Sequence, residues 1–323
     1  MIVGQDRAVE QFAAAWERRA LHHAWLLAGQ RGVGKATLAR VAATRVLADA
    51  AGPEVDEPAL ATPAEHRIAR LVEAGSHPDL RWLERLVNEK TGNLARNITV
   101  DQVRALGDLF DLTPALSPWR VVVIDSIDDL EKGAANALLK MLEEPPANTI
   151  FFLVSHAPGR LLPTIRSRCR RLDFQSLDDA ALTSVLASAL PDTKEFERSR
   201  AVAAAGGSAG RAIALAQLDL VTLEDKALKI LRQGDRTNSL RCGLASELGK
   251  RGAGDRYAAF LEILPSVIAS ESRTLSGAPR QRALDAYAQA RELVAVAPRL
   301  SLDPAATVFQ LGGILASVPD PVP

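Results

Sequence analysis

The chain has 323 residues, 47% of them hydrophobic, enough to bury a sizeable core and to fill two or three domains. Lysine plus arginine and aspartate plus glutamate both number 39, so no global charge favours nucleic acid and any DNA contact has to come from a local patch. Two cysteines, Cys169 and Cys242, are too few for a four-cysteine zinc site or a disulfide framework, and the five histidines lack ligand spacing.

In chain order, Asp6 to Ala20 carries apolar residues at helical spacing and leads into an apolar strand, Trp25-Leu26-Leu27-Ala28, that ends at Gly29. The run Gly29-Gln30-Arg31-Gly32-Val33-Gly34-Lys35-Ala36-Thr37 is almost a phosphate-binding loop: Gly29, Gly34 and Lys35 fit, while Ala36 sits where the pattern asks for Ser or Thr. The glycines free backbone N–H groups to turn toward a phosphate, Lys35 reaches its outer oxygens, and the helix from Ala36 to about Leu47 presents its positive end. The hydroxyl that helps hold Mg²⁺ is missing. Thr37 is one place late, and one residue turns a helical side chain by about 100°. The plainer alternative is a glycine-rich strand-to-helix turn with no ligand.

Residues 48 to 64, rich in Ala, Pro, Gly and acid, read as a surface excursion, and Glu65 to Ala74 as a short helix. Ser76-His77-Pro78-Asp79 turns into a strand ending near Leu83, 88 to 97 is a polar loop, and a helix capped by Asp101 runs to about Leu109. Trp119 to Asp125 contains four unbroken β-branched residues, the mark of a strand buried on both faces of a parallel sheet. An apolar strand ending in Asp is where a phosphate-loop protein keeps its Mg²⁺ carboxylate, so Asp125 is the candidate. The next residue is Ser126, and serine is no base at neutral pH without an activating partner. A helix over Ala134 to Leu142 stops at Pro145-Pro146, and Ile150 to Val154 is another buried strand. The segment 160–171 is dense in arginine, which on charge alone reads as a solvated helix end.

From Ser176 the pattern becomes Ala/Leu-rich and helical, giving a boundary near residue 175. Helices over 178–190, 194–205 and 210–216, with Gly206-Gly207-Ser208 as turn and N-cap, make a lid at 176–220. A third unit, 221–323, holds helices near 224–232, 240–249, 257–270, 280–296 and 305–318, and the tail 319–323 is expected to be disordered. No apolar run approaches the roughly 20 residues of a membrane span, and the N-terminus lacks signal-peptide form, so a cytoplasmic location and no membrane contact are expected.

Four stretches together carry a family resemblance: Val3-Gly4-Gln5-Asp6, the loop Gly29 to Lys35, Asn136 to Pro146, and Leu161-Leu162-Pro163-Thr164-Ile165-Arg166-Ser167-Arg168-Cys169. They resemble the bacterial clamp-loader subunits of DNA polymerase III, most of all the delta-prime family, most strongly over residues 4–174. The resemblance implies an α/β AAA+ P-loop module with a parallel sheet (1–175), a helical lid (176–220) and an all-α collar (221–323). It also implies that Arg168 of Ser167-Arg168-Cys169 reaches the γ-phosphate of ATP on a neighbouring subunit. Gly29, Gly32, Gly34, Lys35, Thr37 and Asp125 would then be a vestigial nucleotide site, with weak ATP, ADP or phosphate binding at most. Ala36, Ser126 and Gly210, which stands where active relatives carry a sensing arginine with Arg211 one step late, argue against intrinsic ATPase. Relatives often carry a four-cysteine zinc module before the stretch matching Ser76 to Asp79. No cysteine stands there, so no zinc is expected. The implied partners are gamma/tau ATPase subunits and a delta subunit in a hetero-pentamer, with sliding clamp and primer-template DNA met through the complex. The rival reading is a working AAA+ ATPase with Lys35 and Asp125 catalytic. Arg166, Arg170 and Arg171 either line a subunit surface or are solvated.

Overall fold

The computed structural model describes residues 2–53, 55–87 and 94–319. The 88–93 part of the expected polar loop, Glu54 of the excursion and the tail residues 320–323 lie outside the described residues. The chain forms two compact units, one of Met1–Val185 with Gly207–Gly210, the other of Leu186–Gly206 with Arg211–Pro323.

In the first unit α1 (Asp6–Glu17), β1 (Ala24–Ala28), α2 (Lys35–Ala51), α3 (Arg67–Glu73), β2 (Leu80–Leu83), α4 (Val100–Arg104), α5 (Leu106–Asp111), β3 (Arg120–Asp125), α6 (Lys132–Glu143), β4 (Thr149–Ser155), α7 (Pro163–Arg166) and β5 (Arg170–Asp173) follow one another. The five strands make one parallel sheet in the order β2-β3-β4-β1-β5. Successive side chains of a strand point to opposite faces. Trp25, Leu27, Val121, Val123 and Phe152 therefore pack with Phe12 of α1 and Leu38, Ala42 and Val46 of α2. Leu26, Val122, Ile124, Phe151 and Leu153 face the other way, against Val103, Leu106 and Leu138. The unbroken apolar runs of β3 and β4 are buried on both faces, as helices on each side of a parallel sheet require.

Three local expectations change. The helix after residue 98 is capped by Thr99, which with Gln102 forms a capping box, and Asp101 lies inside the first turn of α4. The excursion after α2 is partly core: Val55 and Leu60 are buried, and the Arg45 guanidinium donates to the carbonyls of Val55, Glu57 and Ala61 at 2.8, 2.7 and 2.7 Å. The arginine-rich segment contains the edge strand β5. Of its four residues only Leu172 is buried, so no alternation could betray it; main-chain pairing with β1 makes the strand, and Arg170 lies 5.0 Å from the Trp25 ring centre.

After β5 the regular structure is all helical: α8 (Asp179–Ala189), α9 (Glu195–Ala205), α10 (Ala209–Gln217), α11 (Leu220–Gln233), α12 (Ser239–Leu248), α13 (Gly254–Thr274), α14 (Gly277–Val296) and α15 (Pro304–Ala316). In the second unit α12 packs on α15, α13 on α14 and α11 on α13. Arg232 of α11 donates two hydrogen bonds to Glu271 of α13, at 2.8 and 2.7 Å. Among the described residues no helix is long and apolar enough to cross a membrane.

Candidate functional site

The register of the sheet assembles the site. Ala28 pairs with Ser155 and Asp125 with Val154, so the loop after β1, the end of β3 and the end of β4 meet at one carboxyl edge, the edge at which open parallel sheets place ligands. Gly29 N–H donates to Ser155 O at 3.3 Å. Gly29 has no room for a side chain: a Cβ there would stand 2.6 Å from the Phe174 carbonyl oxygen. Gly34 caps α2 with φ +97°, a conformation glycine adopts without the Cβ penalty.

Every carbonyl of the loop has a partner, as backbone polar groups demand. The Lys35 ammonium donates to Gly29 O at 2.8 Å and Gln30 O at 2.5 Å. Ser208 Oγ donates to Arg31 O and Gly210 N–H to Gly32 O, both at 2.9 Å. Gln5 Nε2 donates to Val33 O at 3.2 Å, and Leu38 N–H to Gly34 O at 2.9 Å. The turn Gly207–Gly210 lies hard on the loop, since a Cβ on Gly210 would be 3.1 Å from Gly32 Cα. Lys35 is 3% exposed, and burial lowers its pKa from the ordinary 10.5 to about 8, against the pull of Asp125 and Asp128. Thr37 is exposed, two positions and about 200° around α2 from Lys35. Position 36 offers no oxygen to a metal.

At the end of β3, burial first and Glu84 second raise the pKa of the Asp125 carboxyl, while Lys35 and Arg31 pull it down. Ser126 is buried and turns its hydroxyl to Asp128 at 3.1 Å. Asp128 is the polar hub of the site. It also accepts from Ser155 Oγ at 3.0 Å, His156 N–H at 2.5 Å and Ala157 N–H at 3.3 Å. Four donors on two carboxylate oxygens leave it little capacity as a base or metal ligand. His156 beside it is held neutral, its pKa lowered to about 4 by burial and then by Lys35.

Arg168 lies apart from this cluster in its bonding. It follows α7, with its side chain 34% exposed, Nη1 donating to Thr164 O at 2.9 Å and Nη2 paired with Glu143 at 2.8 Å. The structure thus gathers Gly29, Gly32, Gly34, Lys35 and Asp125 at the sheet edge, with Thr37 and Arg168 outside that cluster. Sequence reasoning missed Gln5 and Ser208 as residues that set the loop, and Asp128 as the polar hub joining the ends of β3 and β4. Gln5 stood in a quoted motif, and the spacing Ser126-x-Asp128 was a usable sign of a self-capping turn; nothing in sequence ties Ser208 to a loop more than 170 residues away.

A parallel sheet in this order, with a lysine-ended glycine loop after one central strand and an acidic residue closing its neighbour but one, defines a P-loop module of the AAA+ class. The family model described as DNA polymerase III, delta subunit, matches residues 4–178, and the chain belongs to that family. It is 40% identical over 200 residues to the DNA polymerase III subunit delta′ of Pseudomonas aeruginosa, a match covering 60% of this chain and 57% of that protein. To the subunit delta′ of Bacillus subtilis it is 34% identical over 178 residues, 55% of this chain and 50% of the relative. The subunit tau of Bacillus subtilis is 31% identical over 221 residues, 68% of this chain and 36% of that protein. The chain therefore spans about half the length of the delta′ relatives it matches.

Proposed function

We propose that this chain serves as the delta-prime subunit of a replicative clamp loader. It is a stator without ATPase activity of its own, and it supplies Arg168 in trans to ATP on a neighbouring gamma/tau-type subunit. The AAA+ module (1–175) and lid (176–220) present the arginine, and the collar (221–323) joins the chain to those subunits and to a delta subunit in a pentamer. The whole complex opens the sliding clamp and sets it on primed DNA. A guanidinium so placed stabilises charge spreading over the transferred phosphoryl group, an effect on the order of 10³ to 10⁵ in rate.

The observation that carries the reading is the engagement of the loop by its own chain. Lys35, the cation that would meet a γ-phosphate, is bonded to Gly29 and Gln30 carbonyls, Asp128 is saturated by four donors, and position 36 lacks a hydroxyl. At the same time Arg168 stands on the surface. ATP turnover is measured for the purified chain alone and mixed with a gamma/tau ATPase subunit. The expected result is silence alone, stimulation of the mixture by wild type, and loss of that stimulation with Arg168→Ala. Turnover by the chain alone that Lys35→Ala abolishes would overturn the reading in favour of a working ATPase.

A further inference from the structure

Glu143 is the last residue of α6, where the unpaired carbonyls of a helix make a negative pole and a second negative charge is disfavoured. Such a carboxylate calls for a cation, and the cation it has is Arg168. Nη2 of Arg168 meets Glu143 Oε1 at 2.8 Å, while Nη1 donates to Thr164 O at 2.9 Å and lies 3.4 Å from Ser167 Oγ. Three acceptors on two nitrogens fix the plane of the guanidinium, and of its five N–H groups two are left for another partner. The Glu143 side chain is 49% exposed, and a pair this open adds little to folding stability. Its effect lies in orientation.

We infer that Glu143 is a positioning residue for Arg168: it holds the guanidinium in the attitude from which its remaining N–H groups meet a neighbouring subunit's phosphate. The inference rests on the trans-finger reading above. A flexible arginine has to be ordered at the moment of reaction, and that ordering cost is removed when the side chain is already aligned. The contact joins two of the motifs quoted in the sequence, the end of Asn136 to Pro146 and Ser167-Arg168-Cys169, which lie 25 residues apart.

The test uses the full chain assembled with the ATPase subunit, measuring kcat and KM for ATP and the melting temperature. Glu143→Ala is expected to lower the Arg168-dependent kcat by about five- to tenfold with KM and melting temperature nearly unchanged. Glu143→Gln, which keeps an acceptor oxygen, is expected to recover most of that loss. In an Arg168→Ala background Glu143→Ala should change nothing further. A normal kcat for Glu143→Ala beside a defective Arg168→Ala overturns the inference and leaves the finger reading intact. An undiminished loss in the Arg168→Ala background also overturns it. No effect of Arg168→Ala itself sinks the finger reading and the inference with it.

Discussion

Replacing Lys35 by methionine should stabilise the first unit at neutral pH, although it removes two hydrogen bonds. The interior lowers the pKa of this ammonium from 10.5 to about 8, burial being the largest cause. At about 1.4 kcal/mol per factor of ten, the charged form is disfavoured by about 3 kcal/mol relative to water. Methionine keeps the stem and lifts that penalty, but leaves Gly29 O and Gln30 O without their donor, at a cost of roughly 1 kcal/mol each. The balance is about 1 kcal/mol in favour of Lys35→Met, or about 2–4 °C for a unit of this size. The pH dependence supplies the stricter check. The folded pKa lies below the unfolded one, so between about pH 8 and 10.5 the unfolded chain holds the proton that the folded chain has released, and wild-type stability rises with pH across that window. The advantage of Lys35→Met therefore shrinks above pH 8 and reverses near pH 9. Urea unfolding followed by tryptophan fluorescence reads this unit alone, because Trp16, Trp25, Trp82 and Trp119 all lie within it. A variant less stable than wild type at pH 7, or a difference flat from pH 7 to 10, would refute the reasoning.

Gly32→Ala should destabilise the same unit more than Gly34→Ala. Both glycines have positive φ, but a Cβ at Gly32 runs into Ser208 Oγ and the Gly210 backbone while one at Gly34 meets nothing within 4 Å. Backbone strain alone is roughly 1–2 kcal/mol, and urea midpoints should rank the two. Asp79, buried, accepts from the backbone N–H groups of Ala115, Leu116 and Ser117 at 2.7, 2.8 and 3.0 Å. Asp79→Ala orphans all three, for a loss of about 3 kcal/mol or more, and Asp79→Asn, keeping one oxygen, should lose less; equal losses would show that acceptor count is not what matters. Burial pushes the Cys169 thiol up to about 12, whereas Cys242 is exposed, so iodoacetamide at pH 8 should label Cys242 and spare Cys169. Peptide mapping that finds both modified alike would contradict the burial argument.

The sequence by itself determined the strands that are buried on both faces, because unbroken β-branched and aromatic runs suit a strand covered on both sides, as in the middle of a parallel sheet. It also determined the loop: glycines and a lysine at this spacing, followed by a helix, are a local signal needing no tertiary context. The absent hydroxyl at Ala36 and the Ser126 after Asp125 were legible for the same reason. What only the tertiary structure decided is what these residues touch. Strand β5 has one apolar side chain and exists through main-chain pairing with β1, which no side-chain pattern encodes. The excursion after α2 reads as surface from its Ala, Pro, Gly and acidic residues, yet Val55 and Leu60 are buried and its carbonyls are satisfied by Arg45, a residue of the preceding helix. Lys35 has the position a phosphate-binding lysine requires, yet its hydrogen bonds go to Gly29 and Gln30 of its own loop, while Gln5, Ser208 and Gly210 satisfy the carbonyls of Val33, Arg31 and Gly32. Arg168 could be named from three adjacent letters, but its partner Glu143 could not. Sequence spacing fixes which side chains share a face of one helix or strand; the chain's return across the sheet decides which charges from different elements meet, and that is where hydrogen bonding and pKa are set.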